Sequence, residues 1–228
     1  MSCLLHIETS AKICSLSLSQ NGQLVYSKVN RETFSHSSCL GLFVEDSMAE
    51  LKKLKLILEG VSVSMGPGSY TGLRIGVSEA KGLCYGLGIP LMAISSLRIL
   101  VESAFNAGVE ADFYCPLIDA RRMEVYSAVY DANGNVLRDV KAEIITGDSF
   151  SEFLSQGKVA FFGDGSDKCR DIIQSDHAVF VPGLFPEASC MVSLAEKAFA
   201  EKDFVDVAYF EPFYLKDFQA TQARNKVF

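Results

Sequence analysis

From residue 66 to residue 90 the chain reads GPGSYTGLRIGVSEAKGLCYGLGIP, directly after the apolar run VSVSM at 61–65. No other segment restricts the backbone so tightly. Gly66 and Gly68 allow angles that side chains forbid, Pro67 stiffens the turn, and the following residues open a helix. Two readings compete. A strand, a glycine turn and a helix start can cradle an anion on free N–H groups, with Ser69 and Thr71 offering hydroxyls. Alternatively, Gly72, Gly76, Ala80, Cys84 and Gly88 recur every fourth residue. On a helix such a column is a flat strip that another backbone can approach closely. Motif chemistry weakens the cradle. A Walker loop needs Lys-Ser/Thr after its last glycine, and Leu73 follows Gly72; the dinucleotide pattern needs a third glycine where Thr71 stands. The docking reading has its own demand. Glycine costs about 1 kcal/mol against alanine inside a helix, so Gly72, Gly76 and Gly82 need a compensating contact. Either an internal helix at 37–54 supplies it or a partner helix does.

Around this segment the hydrophobic period alternates between two and 3.6. Strands are expected at 3–9, 13–19 and 23–29, the second half-exposed because ICSLSLS alternates strictly. Leu40, Phe43, Val44, Met48 and Leu51 share one face of an amphipathic helix at 37–54, capped by Ser37 or Ser38. A strand at 61–65, a helix at 71–87, a strand at 91–94 and a helix at 96–106 follow. The order then repeats. Strands are expected at 113–118, 123–130 and 136–145, a helix at 148–156 and a strand at 158–162, with Asn133-Gly134 as a hairpin turn. VAFFGDGS at 159–166 parallels SVSMGPGS at 62–69: each apolar strand ends in Gly-x-Gly-Ser. A further helical stretch is expected after Ser166, a helix at 188–202 and an aromatic tail from 207. The chain is thus an α/β protein built from a duplicated βββαβα unit, divided at 107 and 108, with the second unit smaller and degenerate. The tail from about 210 is expected to pack back on the first unit.

Composition narrows the functions. A net charge of −7 disfavours gripping a phosphate backbone alone. Lys52, Lys53 and Lys55 are the nearest thing to a basic cluster and read as a solvated helix end. Seven scattered cysteines without a C-x-x-C pair suit reduced, buried thiols in the cytoplasm. The start MSCLLHIETS has no basic region of a signal peptide, and no apolar run approaches the roughly 20 residues of a membrane span. His6, His36 and His177 lack metal-site spacing. His6 reads as a satisfied core residue and His36 as a contact at the start of a helix. No G-x-S-x-G elbow presents a serine nucleophile. Two charged places remain. Glu8-Thr9-Ser10 ends the first strand, and Asp119-Ala120-Arg121-Arg122 joins two strands of the second repeat. Each is either a site or a polar turn.

The layout resembles the actin/hexokinase/Hsp70 superfamily, the actin-like ATPase (ASKHA) type, in which two such domains face each other across a cleft. GPGSYTGLRIGVSEAKGLCYGLGIPLMAISSL at 66–97, IETS at 7–10, His36-Ser37, IDARRMEVY at 118–126, GDGS at 163–166 and EPFYLK at 211–216 together resemble the bacterial TsaB family, also called YeaZ. The resemblance implies a non-catalytic subunit in forming N6-threonylcarbamoyladenosine at position 37 of tRNAs that read codons starting with A. It would pair with and activate a TsaD-type paralogue as a heterodimer, and a TsaE-type ATPase would join them. No cofactor is implied in the isolated chain; ATP or ADP and metal belong on the partners. tRNA would be met only through the complex, no membrane is involved, and the same helices can support a homodimer when the paralogue is absent. The pairing surface in that family lies on the helices matching 37–54 and 71–87, which points to His36, Leu40, Phe43, Gly72, Arg74, Gly76, Ala80 and Leu83. The family usually carries Asp at the end of the first strand, where this chain has Glu8. This departure leaves open a residual nucleotide contact at Glu8, Ser10, Gly68 and Ser69. The alternative is a stand-alone ATP-dependent transferase or hydrolase of the same superfamily, with Glu8, Ser69 and Asp164 lining the cleft.

Overall fold

The computed structural model describes residues 2–32 and 36–216; the expectation for the tail at 217–228 lies outside the described residues. Two five-stranded mixed sheets form the molecule. The first contains β1 (Cys3–Glu8), β2 (Cys14–Gln20), β3 (Gln23–Asn30), β4 (Gly60–Gly66) and β5 (Leu91–Ser95), in the order β3-β2-β1-β4-β5. Its helices are α1 (His36–Leu54), α2 (Tyr70–Leu87) and α3 (Ser96–Asn106). The second sheet contains β6 (Phe113–Asp119), β7 (Glu124–Asp131), β8 (Val136–Ile144), β9 (Val159–Phe162) and β10 (Ala178–Val181), in the order β10-β9-β6-β7-β8. The two orders are the same topology read from opposite edges. β1 is antiparallel to β2 and parallel to β4, as β6 is to β7 and β9. The turns that follow also correspond: Gly66 sits at φ +108° and Gly163 at φ +100°.

Helical expectations in the second repeat were too generous. Only α4 (Ser151–Leu154) forms within 148–156, and GDGS launches a single 3₁₀ turn at Asp167–Cys169, not a long helix. Strand β10 fills part of that stretch. The segment at 188–202 begins as a 3₁₀ turn, Ala188–Met191, and continues as α5 (Val192–Glu201). The proposed caps Ser37 and Ser38 lie inside α1, which starts at His36.

Strand alternation decides what each face meets. Leu5 and Ile7 of β1 join Val61, Val63, Leu40, Val44, Val77 and Ala80 under α1 and α2. Leu4, on the other face, joins Met92, Ile94 and Ile99 beneath Ala188, Met191, Ala195 and Ala198. The last helix among the described residues, α5, therefore covers the first sheet, although it follows the second in sequence. This return also corrects the reading of β2 as half-exposed. Its serine face is buried too, because the 188–191 turn lies over it and the Ala188 N–H donates to Ser15 Oγ at 2.9 Å. Ser17 Oγ meets Ser27 Oγ at 3.0 Å. His6 is sandwiched between Ser62 Oγ and Ser19 Oγ, each at 2.8 Å. Its fully buried, satisfied ring is held down to a pKa of about 3 by desolvation.

Helix α3 lies between the sheets. Ile99 packs on the first, while Leu97, Leu100, Val101 and Ala104 pack on Tyr114, Ile118, Ala160 and Phe162 of the second. After α5 the chain runs back along the first sheet. Val205 bridges Leu91 at the β5 edge, Lys81 Nζ donates to the carbonyls of Ala208 and Phe210 at 3.1 and 3.0 Å, and the Phe213 N–H donates to the Met65 carbonyl at 2.7 Å. Tyr214 stacks on Tyr70 at 4.7 Å, and Lys216 then pairs with Glu124 of the second sheet.

Candidate functional site

The glycine turn and α2 form the most constrained surface of the molecule. Three N–H groups at the start of α2, those of Ser69, Gly72 and Leu73, are engaged by the chain's own oxygens. The Ser69 N–H donates to the Ser10 carbonyl at 2.7 Å, the Gly72 N–H to Ser69 Oγ at 3.2 Å, and the Leu73 N–H to the Ser69 carbonyl at 2.8 Å. A Cβ on Gly68 would overlap the Ser10 carbonyl oxygen, and one on Gly72 would overlap that of Thr9. The residues after β1 thus lie directly against the turn, where an anion would have to sit.

Glu8 and Ser10 are buried. Glu8 Oε1 accepts the Ser10 N–H at 2.5 Å, while Glu8 Oε2, Thr9 Oγ1 and Ser10 Oγ have no partner. Desolvation raises the Glu8 carboxyl to a pKa of about 7, against the lowering effect of Ser10 and Ser64. Gly68 is half-buried and Ser69 is exposed.

A separate cavity of about 140 Å³ opens between the turn after β1 and the loop after β9, lined by Lys12, Asp164, Ser166, Asp167 and Phe185 among others. Asp164 Oδ1 accepts the Asp119 N–H at 3.0 Å. Burial pushes the Asp164 carboxyl above the usual carboxylate range, opposed by that N–H and by Lys12. Pockets that take drug-sized ligands hold about 300–1,000 Å³, so this one is too small for a nucleotide. Glu8 and Ser69 do not line it. Among the described residues no group of three or more His, Cys, Asp or Glu is placed to hold a metal ion.

The small-residue column faces inward. Gly72, Gly76, Ala80 and Cys84 are all buried, and a Cβ on Gly76 would overlap Thr9 Oγ1. The contact that compensates these helical glycines is therefore internal, and it is the end of β1, not α1 or a partner helix. Leu40 is likewise 1% exposed, inside the core beneath α1. As surfaces for a partner, Leu40, Gly72, Gly76 and Ala80 are corrected: they set how closely the helices approach the sheet. His36 Nε2 donates to the Ala11 and Ile13 carbonyls at 3.0 and 3.1 Å, the helix-start contact expected of it. Phe43 and Leu83 are partly buried against the core. Arg74 is exposed, with Nη1 donating to the Tyr70 hydroxyl at 3.1 Å.

The outward side of the helix pair carries a second small-residue strip that the sequence reading missed. Ser78, Gly82 and Gly86 are exposed four residues apart, and the two glycines have open space at their Cβ positions. Tyr85 stands beside them at 86% exposure; on α1, Gly41 is also open and Leu42 is 62% exposed. The signal was available: Gly82 and Gly86 stand off the internal column, so inward packing cannot explain them.

The chain matches the family model of TsaD, tRNA N6-adenosine threonylcarbamoyltransferase, over residues 31–224. It is 29% identical over 222 residues to the tRNA threonylcarbamoyladenosine biosynthesis protein TsaB of Escherichia coli (strain K12), covering 94% of each chain. A segment of 83 residues is 43% identical to the protein of the same name in Bacillus subtilis (strain 168), covering 36% of this chain and 35% of that one. Among solved structures, YeaZ from Pseudomonas aeruginosa superposes with a TM-score of 0.80 at 27% identity, covering 94% of this chain and all of that one. A second Pseudomonas aeruginosa structure, described as an uncharacterized protein with similarity to peptidase YeaZ, gives 0.82 at 26% identity, covering 95% and 100%.

Proposed function

We propose that this chain, which belongs to the TsaD family and within it to the TsaB (YeaZ) branch, is the accessory subunit of a threonylcarbamoyl transferase acting on tRNA. The observation that carries the reading is the full-length likeness to TsaB proteins, in sequence and in fold. The glycine turn agrees with it, since its N–H donors are engaged by Ser10 and Ser69. In this reading the chain pairs with a TsaD-type paralogue, and a TsaE-type ATPase joins the pair. Metal and ATP or ADP are held by those partners, in the cytoplasm. No helix among the described residues is long and apolar enough to cross a membrane. The same face can also support a homodimer when the paralogue is absent. The two repeats are taken as domains 1–107 and 108–228, with the return of the chain after residue 188 joining them.

The pairing face is the outward side of α1 and α2, with His36, Phe43, Arg74 and Leu83 at its margins and the Ser78–Gly82–Gly86 strip along it. A strip without side chains lets a partner helix approach, and exposed Tyr85 and Leu42 supply apolar area once water is excluded. Gly82→Trp tests it, because open space at Cβ accommodates the ring without disturbing the core. The expected result is a folded chain that no longer co-elutes with its TsaD-type paralogue. Normal co-elution by this variant would remove the face from the interface. Failure of the unaltered chain to pair, with unchanged levels of modified nucleoside after its depletion from cells, would remove the function itself.

A further inference from the structure

The turn joining β6 to β7 carries a charged motif that the docking face does not use. Its backbone is held in an unusual state: Arg121 and Arg122 both lie in the left-handed region, at φ 72° and 52°. Consecutive non-glycine residues rarely accept this conformation, and such outliers gather at functional sites. Its carboxylates are already engaged. Lys168 Nζ pairs with Asp119 and also donates to the Arg122 and Glu124 carbonyls at 2.9 and 2.7 Å. Lys216 pairs with Glu124. Asp119 Oδ1 further accepts the Arg121 N–H at 3.0 Å. Lysines from two other segments thus neutralise the acids of the turn. The Arg121 and Arg122 guanidinium groups are left exposed and without an ion pair among the described residues.

The partner follows from shape. Residues 121–123 are all exposed and no wall encloses them. Two guanidinium forks on an open turn hold a free small anion poorly, because water and salt screen it. They suit successive phosphates of an extended polyanion already held nearby, where effective concentration makes weak contacts count. We propose that the Arg121–Arg122 turn is a phosphodiester contact, the place where this acidic subunit touches the backbone of the RNA being modified. The proposal rests on the functional reading above.

The test uses the complete complex and an unmodified tRNA transcript that reads a codon starting with A. Binding is measured across a salt series for the unaltered chain, Arg121→Ala/Arg122→Ala and Arg121→Lys/Arg122→Lys. Arg121→Gly/Arg122→Gly serves as a second neutral variant whose backbone suits positive φ. Both neutral variants should pair normally with the paralogue. They should bind RNA roughly three- to thirtyfold more weakly at 0.1 M salt, with a log–log salt slope shallower by about 1.5, the loss of two phosphate contacts. The lysine variant should keep most of that slope. Unchanged affinity and slope in intact neutral complexes would overturn the proposal. So would loss of pairing in place of loss of RNA binding, which would give the turn to a protein surface. If the unaltered chain does not pair at all, the functional reading falls and this proposal with it.

Discussion

Two buried titratable side chains on β1 set opposite responses to pH. The His6 ring keeps its pKa near 3 in the folded chain against an ordinary 6.5, so between those values only the unfolded chain binds the proton. Its contribution makes stability fall as pH drops through that window, by up to about 1.4 kcal/mol per pH unit. Glu8 does the reverse. Its folded pKa near 7 exceeds the ordinary 4.5, so between these values the folded chain holds a proton that the unfolded chain has released, and stability falls as pH rises. From 4.5 to 6.5 the two oppose each other. Glu8→Gln keeps an oxygen to accept the Ser10 N–H and removes the titration. The variant should therefore gain stability relative to the native chain as pH rises from 4.5 to 7, at about 1.4 kcal/mol per unit at most. Urea unfolding at pH 5, 6 and 8 measures this difference, and a difference independent of pH would show that Glu8 is ionised throughout.

Among the elements, α2 carries the sharpest contrast between two kinds of glycine. Gly76→Leu should cost about 3 kcal/mol or more, because its side chain must displace Thr9 at the end of β1. Gly82→Ala should gain up to about 1 kcal/mol, since the methyl group meets nothing and the helix loses an unfavourable residue. Denaturation midpoints decide both. The same contrast shows what a sequence can reveal. A four-residue spacing of small side chains fixed that Gly72, Gly76, Ala80 and Cys84 share one face of a helix. Spacing carries no sign, however, and did not tell whether that face points into the protein or out. The answer came from Thr9, more than sixty residues earlier, whose carbonyl and side chain lie in the space left at Gly72 and Gly76. The apolar strand at 3–9 and the amphipathic helix at 37–54 were legible because their signal is local. The burial of the serines on β2 was not, because their cover arrives from residues 188–191. The likeness of the two Gly-x-Gly-Ser strand ends was local as well, and the shared strand order of the two sheets bears it out.

Across the whole molecule, the two repeats are neither independent nor equal. Helix α3 is shared between the sheets, and the first sheet borrows its second cover from the chain's end. A fragment of residues 1–107 should therefore fail to fold alone. Leu4, Met92 and Ile94 would lie bare where Met191, Ala195 and Ala198 belong. Addition of a separately expressed 108–228 fragment should restore a cooperative melt, and a stable, monomeric 1–107 fragment would contradict this. The borrowed cover also imposes a schedule on synthesis. The first sheet is complete by residue 95, yet its missing face is not made until residue 188 is reached. At ordinary rates of translation the ribosome needs on the order of ten seconds for that interval. For all of it the nascent first half carries an open apolar face, so production of this subunit should depend on holding chaperones more than its size suggests.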